Sequence, residues 1–104
     1  MIKVTVMYPN GEGKTFDMDY YLNNHTELCR KLFGPALLGF DVDKGVAGLF
    51  PGSEPPYLAM GHLTFDSAES FSELMMANAA AIMEDVARYT NTSPVVQISE
   101  FARK

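Results

Sequence analysis

The chain carries two histidines, one cysteine and no tryptophan, so few side chains can move a proton near neutral pH. His25 is the sharpest of them. An imidazole titrates close to neutrality, and one held on an apolar helix face can act as a general acid or base. Tyr21 stands four residues earlier, on the same helix face. Its hydroxyl could polarise an oxygen of the molecule whose proton His25 moves. His25 and Tyr21 are therefore the candidate catalytic residues. Tyr20, Asp85, Tyr89 and Asn78 are candidate pocket residues. The two tyrosines offer hydroxyls on apolar bodies, while Asp85, with Asn78, could orient a histidine or a water. Gly61 lies mid-strand and leaves a gap in the sheet opposite His25, completing the pocket. Each has a plainer explanation: a core histidine bonded to a carbonyl, tyrosines that only pack, a solvated helix acid.

Other reactive types are weaker. Cys29 follows His25 by four residues, a spacing that permits a thiol–imidazole pair. Nothing else in the sequence activates it, and buried single cysteines are usually inert packing. One cysteine excludes an intrachain disulfide and a cysteine-rich zinc cluster. The strand and helix patterns send the two histidines to opposite faces of the sheet, so no metal site is expected. Proton transfer itself calls for no cofactor. Met75, Met76 and Met83 on the second helix could adapt to an irregular apolar ligand, or simply fill the core. Gly11-Glu12-Gly13-Lys14 lacks the spacing of a phosphate-binding loop.

The elements that must position these residues follow from periodicity. Ile2–Tyr8 alternates with β-branched residues and reads as a strand. Pro9–Gly13 ends it. Asp17 is a good N-cap, with Phe16 and Tyr21 placed for a hydrophobic staple. Met18, Tyr21, Leu22, Leu28, Cys29, Leu32 and Phe33 form the apolar stripe of the first helix, and Gly34-Pro35 stops it. Ala36–Phe40 reads as a turn, Asp41–Ala47 as a weak strand, and Gly48–Pro56 as an exposed loop. Tyr57–Phe65 is the best strand. Asp66-Ser67 caps a helix, with Glu69 placed for a capping box after Asp66. Phe71, Leu74, Met75, Ile82, Met83 and Val86 give this helix an inner stripe that Asn78 interrupts, so it is one bent helix or two in tandem. Thr90–Pro94 closes it, and Val95–Phe101 is a last strand. The order β–α–β–β–α–β is the split βαβ, ferredoxin-like plan, an α+β class with helices on one face of a four-stranded antiparallel sheet.

Length and charge narrow the rest. With 104 residues, 47% of them hydrophobic, there is material for one domain spanning 1–104. A net charge of −5 with eight scattered basic residues argues against nucleic acid as a partner. No stretch approaches the ~18 apolar residues of a membrane span, and no secretory leader opens the chain, so a reducing, cytoplasmic location is expected. Sorting the strands by face puts Val4, Val6, Ala59, Leu63, Phe65, Val96 and Ile98, with the Gly61 gap, under the helices. The opposite face collects Met7, Leu58, Met60, Val95 and Phe101 among His62, Thr64 and Gln97. A contiguous apolar patch of that kind marks an interface, and the expectation is a homodimer packed through this sheet face, with His62 inside it.

Several segments together resemble the EthD family of dimeric α+β barrel proteins. They are the opening Met1–Tyr8 strand, Phe16-Asp17-x-x-Tyr20-Tyr21, His25, the Gly34-Pro35 break, Gly61-His62-Leu63-x-Phe65-Asp66-Ser67, Asp85…Tyr89-Thr90 and Pro94–Ser99. The resemblance implies protomers that pair sheet to sheet into a barrel. It also implies that the helix-one histidine of EthD-like proteins maps to His25. Many relatives carry a further histidine near the second helical segment, where this chain has Asn78, which removes a second acid/base group. Relatives in the wider superfamily include cofactor-free monooxygenases, polyketide cyclases, dehydratases, lactone isomerases and haem-degrading enzymes. The expected function is a small cofactor-independent enzyme of catabolism or secondary metabolism acting on an apolar oxygenated molecule, with His25 as acid/base. The alternative is a dimer that binds a small molecule, or docks an oxygenase, without chemistry.

Overall fold

The computed structural model describes all 104 residues. Strand β1 is Ile2–Pro9. A first helical stretch follows as α1 (Met18–Tyr20), a π-helical turn (Tyr21–His25) and α2 (Thr26–Phe33), then a 3-10 turn (Gly34–Ala36). Strand β2 is Gly39–Lys44, β3 is Tyr57–Phe65, α3 is Ala68–Val86 and β4 is Val95–Glu100. The strands form one antiparallel sheet in the order β2-β3-β1-β4. This is the ferredoxin-like α+β arrangement that the sequence order predicts.

Local chemistry explains the element ends. The Asp17 side chain accepts from the Tyr20 backbone N–H at 3.0 Å, and Phe16 packs on Tyr21 with ring centroids 5.1 Å apart, so cap and staple both form. The π-turn has a specific cause. The Thr26 N–H reaches back to the Tyr21 carbonyl, while the Thr26 hydroxyl donates to the Leu22 carbonyl at 2.7 Å. One residue thereby satisfies both carbonyls, and the helix widens between them. Gly34, at φ 60°, ends the helix in a backbone region that a side chain would strain.

Four expectations shift. β2 begins at Gly39 rather than Asp41 and ends at Lys44, because Phe40 pairs with Leu63 and turns its ring to the helix-covered side. The cap of α3 is Ser67, which accepts from Ser70 N–H at 3.1 Å, so the Asp66–Glu69 box does not form. α3 is one continuous helix of 19 residues. Leu22 points outward, as the π-turn rotates it off the buried stripe.

The core is a layer between the helices and strands β1, β2 and β3. Phe65, at 0% exposure, meets Phe33 and Phe71 edge-on, with centroids 5.3 and 5.2 Å away. A second cluster joins Tyr8, Tyr21, Ala59 and Tyr89. Val96 and Ile98 lie on the helix side of β4, as the face sorting predicts, yet they remain 53% and 43% exposed, so the chain's own helices leave β4 uncovered.

Phe65→Ala should lower stability by about 3–5 kcal/mol, the range for emptying a buried aromatic site. That is a large share of the roughly 5–15 kcal/mol of a typical domain. Urea denaturation measures it, and a loss below about 1.5 kcal/mol would show that Phe65 is not the packing centre.

Candidate functional site

The site is made where two chain segments far apart in sequence are stitched together. Phe16 and Thr90 form a β-bridge. The Asp17 N–H donates to the Tyr89 carbonyl at 2.7 Å, and the Thr90 hydroxyl to the Thr15 carbonyl at 2.6 Å. Asn91 accepts from Thr15 N–H and donates to the Gly13 carbonyl, both at 2.9 Å. These bonds fix the start of α1 against the end of α3, which brings the last turn of α3 alongside the π-turn.

Asp85 on α3 then meets His25 and Tyr20. The Tyr20 hydroxyl donates to Asp85 Oδ1 at 2.7 Å, and His25 Nδ1 lies 2.9 Å from Asp85 Oδ2. The Arg88 guanidinium stands 3.7 Å from Asp85 Oδ1. Burial alone would raise the Asp85 pKa, but the bonds from Tyr20 and His25 overcome it and hold the carboxyl below its ordinary value. An ionised carboxylate only accepts, so the proton of neutral His25 sits on Nδ1 and leaves Nε2 bare. Burial lowers the His25 pKa below its ordinary 6.5, with Asp85 partly opposing it. The imidazole is therefore neutral at physiological pH.

Nε2 lies 3.7 Å from Cys29 Sγ. Burial and the Asp85 charge push the Cys29 thiol up to about 12, so Cys29 stays a thiol and no reactive thiolate forms. The His25 ring stacks on Tyr21, with centroids 5.5 Å apart and planes 21° apart, and leans on Tyr89 at 4.7 Å. Burial likewise drives Tyr8, Tyr21 and Tyr89 well above the ordinary tyrosine range, so all three hydroxyls stay protonated.

A cavity of about 270 Å³ opens between α2, α3 and the sheet. His25, Tyr21 and Tyr8 line it, and Phe33, Phe40, Met75, Met83 and Val96 are among the apolar residues of its wall. His25 and Tyr21 thus face one cavity. Tyr20 and Asp85 stand behind them as a brace, and Tyr89 packs beneath, its hydroxyl bonded to that of Tyr8 at 2.7 Å. Gly61 lies under Tyr21, where a Cβ would come 2.7 Å from the tyrosine hydroxyl. Its gap is filled by Tyr21 rather than left for a ligand. Asn78 is not brought to the site; its amide donates to the Leu74 carbonyl at 2.8 Å, one turn back along α3. The Tyr8 hydroxyl escaped the sequence reading, because alternation marks a strand residue as inward but not what its tip will meet. His62 lies on the opposite sheet face, 2.7 Å from Asp43. No three His, Cys, Asp or Glu side chains converge in a way that could hold a metal ion.

Comparison with known proteins agrees with this architecture. The family profile of the EthD domain matches residues 10–93. The chain is similar to an EthD-like protein from Ralstonia eutropha JMP134, with 42% identity and a TM-score of 0.94 over 99% of this chain and 93% of that one. It is also similar to an EthD family protein from Bacillus halodurans C-125, with 25% identity and a TM-score of 0.71 over 96% and 97% of the two chains. A dimeric ferredoxin-like protein from an uncultured marine organism shares the fold, at 11% identity and a TM-score of 0.58 over 99% and 95%. No curated protein matches the chain.

Gly61→Ala should be destabilising by about 1–3 kcal/mol, the usual effect of overfilling a packed site. Tyr21 cannot swing away, since Tyr8, Phe16 and His25 hold its ring. Gly39→Ala is the control, because its Cβ would meet Thr64 no closer than 3.8 Å. Equal thermal midpoints for the two variants would contradict the Tyr21–Gly61 fit.

Proposed function

This chain belongs to the EthD family, and on that premise we propose that it is a small enzyme that moves a proton on an apolar, oxygenated molecule, with His25 Nε2 as the base. The observation that carries this reading is an unprotonated Nε2, met by the weak Cys29 S–H donor, on a histidine that lines an apolar cavity and is backed by a carboxylate on Nδ1. An acidified C–H or O–H of the substrate gives its proton to Nε2. The electron pair left behind spreads onto the substrate oxygen, where the Tyr21 hydroxyl donates a hydrogen bond. Asp85 stabilises the imidazolium until the proton is returned, at the same atom or another. Such a step opens isomerisation, cyclisation or dehydration, and oxidation where dioxygen takes up the electrons of the deprotonated substrate. The apolar wall strengthens each charge interaction by excluding water. Tyr20 acts through Asp85 as a positioning residue, and Tyr89 by supporting the His25 ring.

The protein acts as a homodimer through the open sheet face in this reading. Met7, Leu58 and Met60 are half-buried there and Val95 is exposed. His62 Nδ1 is buried without a hydrogen-bond partner, which a second copy laid on this face would relieve. The free, buried Cys29 fits a reducing, cytoplasmic setting. The second reading, a dimer that binds a metabolite or serves an oxygenase without chemistry, draws on the same apolar wall, which holds a ligand by burial alone.

Native mass spectrometry of protein purified from its native host would report the subunit count and any retained metabolite together. With that compound, His25→Ala should keep binding but lose about 10²–10⁴-fold in kcat, the usual worth of a general base. In the parent, kcat/KM should rise with pH through a titration below 6.5, because the active imidazole is neutral and burial depresses its pKa. Unchanged turnover in His25→Ala would sink the catalytic reading, and ligand retention without product in either protein would favour the binding one.

A further inference from the structure

The segment between β2 and β3 holds three of the chain's exposed large apolar side chains. Val46, Leu49 and Phe50 are 87%, 89% and 72% exposed, and no charged residue occurs between Gly45 and Ser53 in a chain of net charge −5. The loop is nonetheless built. Gly45 N–H bonds the Leu58 carbonyl at 2.9 Å, Gly48 N–H the Ser53 carbonyl at 3.2 Å, and Ser53 N–H the Phe50 carbonyl at 3.1 Å. The Ser53 hydroxyl bonds that same Phe50 carbonyl at 2.5 Å. Three large apolar side chains are thus presented to water by a structured backbone, the mark of a docking element rather than of a slack loop.

The same chain carries a surface that lacks a cover. The cavity opens beside β4, where Val96 and Met83 line its wall and are themselves half-exposed, and Val95–Ser99 is uncharged. Strand directions bring the two surfaces together in a pair of molecules. β2 and β4 are the two sheet edges and run in opposite senses, and each is 6 residues long. In a two-fold pair whose axis lies along the strands, β4 of one copy meets β2 of the other antiparallel. The Lys44 end of β2, where the loop begins, then lies beside Val95 at the start of β4.

We propose that the β2–β3 loop of a second copy closes the cavity mouth, with Leu49 and Phe50 laid against Val96 and Met83. The inference rests on the homodimer reading above and deepens it, since each His25 cavity is then completed by residues of the partner. A second copy is the occupant that fits, because both surfaces are uncharged in an acidic chain and both lie at one end of the paired edges.

The test is a Phe50→Cys/Val96→Cys double variant under mild oxidation. The expected product is a covalent dimer whose digest contains a peptide bridging positions 50 and 96 of different chains. Neither single variant nor the parent, whose Cys29 is buried, should cross-link. A dimer by native mass spectrometry that lacks this bridge, a bridge within one chain, or a cross-link in either single variant would overturn the inference while leaving the dimer standing. A monomer at every concentration would overturn both. Independently, Leu49→Ser/Phe50→Ser should speed amide hydrogen exchange at Val95–Ile98 at least tenfold, and unchanged exchange there would count against the lid.

Discussion

The arrangement depends on one carboxylate that accepts from two sides. Asp85 takes a hydrogen bond from Tyr20 and another from His25, and both donors stand on the same helical stretch. The pair of bonds settles three things together. It keeps Asp85 ionised despite its partial burial, it places the histidine proton on Nδ1, and it fixes the ring plane against Tyr21 and Tyr89. Burial works against charge on His25 while Asp85 works for it, and burial prevails. The result is an imidazole that is neutral at rest yet has a counter-ion ready when it gains a proton, which is what general-base chemistry requires.

Part of this was legible in the sequence. The spacing of Tyr21, His25, Cys29 and Phe33 follows one helix face, and those residues are buried on it. The sheet faces followed from the alternation of β1 and β3, and the fold class from the order of the elements. The Asp85–His25 pair was not legible as a bond, because its members are 60 positions apart. Their meeting depends on backbone and side-chain bonds between the segments around Phe16 and Thr90. Asp85 read as a pocket residue that could orient a histidine or a water, with a solvated surface acid as the plainer alternative. Asn78 read as a pocket residue because, with Asp85, it could orient a histidine or a water, but an amide can satisfy itself on its own helix, and this one does. Gly39 read as a turn residue, although the alternation that includes Phe40 and Val42 already begins there. The π-turn had no sequence signal beyond Thr26, whose hydroxyl can bond back to a carbonyl in any helix.

The hydrophobic content divides between two tasks. Phe33, Phe65, Phe71 and their neighbours close a core under the helices. A second set, on β4, the open sheet face and the β2–β3 loop, stays in contact with water in one chain. The cavity lies at the boundary between these sets, so its wall is buried at His25 and Tyr21 and unfinished at Val96. Position in the fold thus ties the His25 cavity to the uncovered strand β4, since the wall that would exclude water is the one the single chain leaves open.

The claim that all else rests on is the protonation state of His25. A ¹⁵N NMR titration of the imidazole reads it directly. A neutral ring protonated on Nδ1 at pH 7 is expected, with a midpoint below the ordinary 6.5 and a still lower midpoint in Asp85→Asn, where the raising influence is gone. A neutral ring protonated on Nε2, or a midpoint at or above 6.5, would contradict it.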